Sequence, residues 1–274
     1  MAEQGPVAAR LPTPGAPPVA EVPPRIARSA EPGPLHFARF AYRPNELGYC
    51  GGDAAASLFQ HVVAGESDEE LARLCREFEG AWPYLQDLAA SAAIADPLDP
   101  RVVEAYWVGS PLLATSDARV LGADLERRFR PRAARSEWSW LSAKPADGAV
   151  PHHSFHVLEV FPRVGLMRGG PPTEILPTME RCLVRPARVI AVDDGCLEVE
   201  ARPLVFEAGR LAFGPPRRER VRRQVDGAGF VDDVRPGEDV AIHWEWACDR
   251  LEAPRRTALE AAIAHSLRLA NTTI

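Results

Sequence analysis

Lysine is almost missing from this chain: Lys144 is the only one among 32 basic residues, and the rest are arginine. That skew points to a GC-rich coding sequence more than to chemistry, and the same bias inflates alanine and proline, so neither is read as a signal. Cationic excess is missing too. Thirty-eight acidic residues against 32 basic ones leave a net charge of −6, which argues against the broad basic face that a phosphate backbone requires and so against a nucleic-acid partner. No apolar run approaches the roughly 20 residues that span a bilayer, and no apolar core follows a basic start at the N-terminus. The expectation is a cytoplasmic protein with no membrane partner. The five cysteines include no C-x-x-C pair, which speaks against a disulfide framework and leaves reduced thiols as ligands or small core residues. Neither G-x-S-x-G nor H-E-x-x-H occurs, so a standard triad or zincin site has no support. Gly48-Tyr49-Cys50-Gly51-Gly52 lacks the strand and lysine context of a phosphate loop and reads as a turn before a helix at Asp53.

What is present is enough apolar residue, 46% of 274, for one or two domains with a sizeable core. Nine of the 27 prolines fall in residues 1–34 without apolar periodicity, a composition expected to stay a disordered leader. Residues 35–135 read as a helical domain of four or five helices. Ser67-Asp68-Glu69-Glu70 has the form of a capping box, ahead of Leu71, Leu74, Cys75 and Phe78 on one face, with Gly80 as the stop. Asp99-Pro100 supplies an N-cap and a first-turn proline ahead of Val102, Val103, Tyr106 and Trp107. Segments 53–64, 83–94 and 116–130 fit further short helices. Cys75, on an apolar face, reads as core packing.

After Trp138 the period changes. Residues 154–161 and 186–192 are short β-branched or aromatic runs, and Asp193-Asp194-Gly195 marks a tight turn into 196–201. Further strands are expected at 203–207, 210–213, 217–225 and 238–244. Leu259, Ile263 and Leu267 recur at four-residue steps in a closing amphipathic helix. The fold class is therefore α+β: an N-terminal helical domain, a β-containing linker over 136–179, and over 180–274 a small OB-like β-barrel with a closing C-terminal helix.

Cys182-Leu183-Val184-Arg185-Pro186-Ala187-Arg188-Val189, a hairpin turn, the arginine-rich strand 217–223 and Gly237-Glu238-Asp239-Val240-Ala241-Ile242-His243 follow one another within about 90 residues. This order resembles the HypC/HupF-type hydrogenase assembly chaperones over residues 180–270. The resemblance implies a HypC-like barrel in which Cys182 and His243 face one another and hold iron, transiently, as an iron carbonyl/cyanide intermediate. It implies hydrogenase maturation proteins or a hydrogenase large-subunit precursor as partners, and a non-catalytic role. Apart from the resemblance, a soft thiolate and a neutral imidazole from separate segments are compatible ligands for a borderline ion.

Pro151-His152-His153-Ser154-Phe155-His156 adds three imidazoles as weaker metal candidates. In an extended chain His152 and His156 lie about 13 Å apart on one face and His153 points away, so they do not converge. A bent entry that set His153 and His156 beside Glu159 or a cysteine reverses that reading. Two further functions follow from these residues: a metal-dependent enzyme with an interdomain site built on His152, His153 and His156, and a metal-free interaction protein. Arg217, Arg218, Arg220, Arg222 and Arg223 alternate across a strand as a solvated edge rather than a single patch.

Overall fold

The computed structural model describes residue 1, residues 31–164 and residues 172–272. The proline-rich leader therefore falls, but for residue 1 and residues 31–34, outside the described residues. The fold is α+β: helices come first, a strand-rich region follows, and one helix closes the chain.

The first helices are α1 (Gly33–Glu46), α2 (Ala55–Ala64), α3 (Glu69–Arg76), α4 (Trp82–Ser91), α5 (Pro100–Trp107), α6 (Ala118–Phe129) and α7 (Arg135–Ala143), with a 3₁₀ turn at Pro111–Thr115. Their starts follow local chemistry. Asp99 caps α5, its carboxylate accepting from the Arg101 N–H at 2.9 Å. At α3 the cap is Asp68, which accepts from the Leu71 N–H at 2.9 Å. The Ser67 capping box is thus displaced by one residue, because a carboxylate at the positive end of the helix outcompetes a hydroxyl one position earlier. In α1, Leu35, Phe37, Ala38, Phe40, Ala41 and Tyr42 are all buried. The helix is buried nearly all round, His36 and Arg39 included: α2, α3 and α5 cover part of α1, and two strands cover the rest.

Residues 154–161 are not a strand. His153–Phe155 form α8, His156–Val160 a π-helical turn and Phe161–Val164 α9. His152 sets this start, its ring Nδ1 accepting from the Ser154 N–H at 3.0 Å. Phe155, Val157, Leu158 and Val160 are all buried, so the run lacks an exposed face and carries no period by which strand and helix differ. Described residues of the expected β-containing linker, 136–164 and 172–179, hold helices and turns only, the last helix being α10 (Pro172–Cys182).

The strands are β1 (Arg185–Asp193), β2 (Cys196–Ala201), β3 (Leu204–Glu207), β4 (Arg210–Phe213), β5 (Arg217–Arg222), β6 (Gln224–Val225), β7 (Ala228–Gly229), β8 (Asp239–His243) and β9 (Trp246–Leu251). Pairing runs β1-β2-β5-β9-β8 and returns to β1, with β3-β4 and β6-β7 as separate ribbons. All links are antiparallel except β5 to β9, a single parallel pair at Arg222 and Trp246. The arginine strand β5 therefore pairs with β2 along its length and is nearly free on its other side. Helix α11 (Ala253–Ala270) closes the chain, burying Leu259 and Ile263.

Helices and strands share one core and are tied by polar groups. Arg39 of α1 donates to the Phe230 carbonyl at 2.8 Å. His36 lies 3.4 Å from Glu104 and 3.6 Å from Asp249, and Arg255 of α11 binds both carboxylates at 2.8 Å. A second tie is the sole lysine. Lys144 is fully buried, donates to the Leu269 carbonyl at 2.7 Å and Thr272 Oγ1 at 3.0 Å, and pairs with Glu159 of the π turn at 3.3 Å. Removing one partner of such a pair strands the other charge away from water, so Lys144→Met is expected to cost about 3–5 kcal/mol in denaturant unfolding. Lys144→Met with Glu159→Leu should recover most of that loss. A single-variant loss below about 1 kcal/mol contradicts the assignment.

Candidate metal centre

Three side chains converge where the helices meet the strands. His153 comes from α8, Cys182 from the last position of α10 and His243 from the end of β8. One ligand atom from each lies within 4.8 Å of the others, and all three residues are buried. The helical turn at 153 brings this about, because it swings His153 onto the chain that carries Cys182, as an extended segment does not. Trp107 packs against both imidazoles, with centroids 4.6 Å from His153 and 5.7 Å from His243, and the two imidazoles meet edge to face at 5.1 Å.

Second contacts orient each ring. His243 Nδ1 donates to the Phe40 carbonyl at 2.8 Å, leaving the lone pair on Nε2, which is buried and has no hydrogen-bond partner. An imidazole held this way by a backbone carbonyl is oriented as metal-bound histidines are. His153 Nε2 donates to the Cys182 carbonyl at 2.7 Å, and the Tyr106 hydroxyl lies 3.3 Å from Nδ1. A carbonyl only accepts, so the ring is the Nε2–H tautomer and its lone pair lies on Nδ1, toward the Tyr106 hydroxyl, which gives way when an ion binds there.

Burial removes charge from the group. Desolvation lowers His243 to about 4 and holds His153 well below the usual imidazole range, with His243 beside it acting in the same direction. Desolvation also raises the Cys182 thiol, reinforced by Cys50 and opposed by Trp244, and pushes Cys50 to about 11. Without an ion, both thiols are protonated and both imidazoles neutral.

The cavity they border holds about 40 Å³ and is also lined by Tyr49, Cys50, Phe78, His156 and Trp244. Its outer wall is strained. Trp244 and Glu245, the two residues of the β8–β9 turn, have φ of +52° and +54°, a conformation costing about 1–2 kcal/mol for each non-glycine residue. Surrounding contacts hold it: the Trp244 N–H donates to the Arg181 carbonyl at 2.8 Å, Tyr49 stacks on the indole at 4.1 Å, the Arg181 guanidinium lies 5.0 Å from its ring, and Arg181 pairs with Glu245 at 2.6 Å. Strain maintained in this way commonly marks a functional site.

Of the sequence candidates, Cys182, His243 and His153 come together, and His152 and His156 stay outside the group. His152 caps α8, and His156 lines the cavity with Nδ1 3.3 Å from the Tyr84 hydroxyl. Tyr106, Trp107, Tyr49 and Cys50 at the site escaped sequence reading. The only signal for the last two was the glycine-rich turn around them.

The chain belongs to a family of unknown function, DUF6390, whose model matches residues 29–274. That match overturns the resemblance to the HypC/HupF chaperones: a single different family spans the helices and the strands together. The motifs behind the resemblance, a proline-led strand, a tight turn and an arginine-rich edge strand, are what a small strand-rich region needs on physical grounds, so they are weak markers of descent. No curated protein and no solved structure matches the chain. Among the described residues, no helix is long and apolar enough to cross a membrane.

Proposed function

We propose that the protein binds one borderline divalent transition ion, iron(II) or zinc(II), through His153, Cys182 and His243. The observation that carries this reading is the convergence of three ligand atoms from three elements within 4.8 Å. The unpartnered Nε2 of His243 supports it, since a buried imidazole nitrogen without a partner is costly unless something binds it. One thiolate with two imidazoles suits these ions and not magnesium or calcium, which require oxygen ligands.

The strand ring is read as a small OB-like barrel that supplies His243, while the helices supply the other two ligands and shield the ion from bulk water. A cavity of about 40 Å³ admits the ion and about one water-sized ligand, and it excludes an organic substrate. Holding or delivering an ion fits this space better than transforming a metabolite. An enzyme centred on His152, His153 and His156 is disfavoured, since only His153 joins the group.

Elemental analysis of the full chain, purified without oxygen and reconstituted with iron(II) or zinc(II), tests the proposal. About one ion per chain is expected, as for a single three-ligand site. Substoichiometric metal after reconstitution with either ion overturns the reading and leaves a metal-free interaction protein.

A further inference from the structure

Given the metal-binding reading above, we infer that Cys50 is the fourth ligand, carried by the loop between α1 and α2, so that two thiolates and two imidazoles enclose the ion. The first ground is position. Cys50 lines the same cavity as His153, Cys182 and His243, and the buried Nε2 of His243, which has no hydrogen-bond partner, independently offers a donor atom there. The second is charge. A divalent ion with one thiolate and two neutral imidazoles retains a net positive charge among Ala41, Phe78, Trp107 and Phe161. An uncompensated charge in such a wall is costly, and a second thiolate cancels it.

The third ground is the loop itself. Asn45 Nδ2 donates to the carbonyls of Cys50, at 2.7 Å, and Gly52, while its Oδ1 accepts from the Ala54 N–H at 3.3 Å. Gly48 and Gly51 flank Cys50 with φ of +73° and +74°, which other residues adopt only with strain. A Cβ on Gly51 would meet the Phe78 ring at 2.7 Å, whereas Gly48 has open space about it. The loop is thus held on both sides of Cys50, since the Gly48 and Tyr49 N–H groups donate to the Asn45 and Pro44 carbonyls at 2.9 Å, and this fixes the Cys50 backbone beside the cavity. Cys50 stands outside the 4.8 Å group in this conformation, so coordination turns its side chain toward the other three ligands while the loop backbone stays anchored. Tyr49, stacked on Trp244, forms part of the wall of the same cavity.

Anaerobic titration of the full chain with Co²⁺ tests this, because thiolate-to-cobalt charge transfer in the near ultraviolet scales with the number of sulfur ligands. Wild type should show the intensity of two thiolates and release two protons per ion. Cys50→Ser should lose about half that intensity, release one proton and bind at least about tenfold more weakly, the smallest loss expected when even an outer-shell partner is removed. Cys75→Ser, a packing thiol, should match wild type. A measurement free of variants is alkylation of Cys50 in wild type, which Co²⁺ should slow at least about tenfold. An unchanged spectrum and proton count in Cys50→Ser, or unprotected Cys50, overturns the inference and leaves the three-ligand reading intact. Failure of wild type to bind Co²⁺ overturns both.

Discussion

Acidification of the metal-free protein should unfold it cooperatively at roughly pH 5, well above the pH at which carboxylates usually govern acid denaturation. Five of the seven histidines, four of them buried and His156 half-buried, are shifted down by desolvation: His152 and His156 to about 3, His243 to about 4, and His36 and His153 by direction. Between the unfolded value of 6.5 and these lowered values, the unfolded chain binds protons that the folded chain refuses. Stability is therefore complete above about pH 6.5 and falls as pH drops, each histidine contributing up to about 1.4 kcal/mol per pH unit. Asp87 acts in the opposite sense, because burial, reinforced by Asp124, raises it to about 7 and the folded state gains its proton first. The net loss by pH 5 is several kcal/mol, a large part of the stability of an ordinary domain. Circular dichroism at fixed temperature across pH 7 to 4 checks this. His156→Phe keeps the ring packing against Tyr84 and Phe161 and should move the midpoint to lower pH. Flat stability down to pH 4.5 contradicts the burial of these imidazoles.

Metal binding should stabilise the protein strongly, because an assembled group of this kind is absent from the unfolded chain. Free zinc at about 100 times its dissociation constant adds about 2.7 kcal/mol, or roughly 5–11 °C in melting temperature for a chain of this size. The gain should shrink below neutral pH, since the ion must displace the proton of the Cys182 thiol, which burial raises. Differential scanning fluorimetry with zinc, calcium and magnesium at pH 7.5 and 6.0 reads both effects. Calcium and magnesium should do nothing. Equal shifts with all three ions, or with Cys182→Ser, mean nonspecific binding to surface carboxylates.

Much of the architecture was legible because its signals are local. Asp99-Pro100 starts a helix, Asp194-Gly195 turns a hairpin, and Leu259 with Ile263 define the inner face of α11. The site was legible in part. Cys182 and His243 stand out as a soft and a borderline ligand, but the partner of Cys182 at position 153 is set by whether residues 153–164 turn or extend. Their burial on all sides removes the periodicity that decides this. The aromatic wall was invisible for a different reason: Trp107, Tyr49 and Trp244 meet only through long-range packing, which no spacing along the chain encodes. Cys50 lay in a glycine-rich turn whose left-handed residues read as punctuation rather than as the frame that sets a thiol beside the cavity.

The most direct measurement is Zn²⁺ affinity, by competition with a chromophoric chelator, for wild type, His153→Ala, Cys182→Ser, His243→Ala and His152→Ala, each with a thermal melt of the metal-free form. His153, Cys182 and His243 variants should each lose binding by at least about a hundredfold while still melting cooperatively, and His152→Ala should lose stability through its lost helix cap but retain affinity. Wild-type affinity in a well-folded Cys182→Ser or His243→Ala protein would contradict the metal centre.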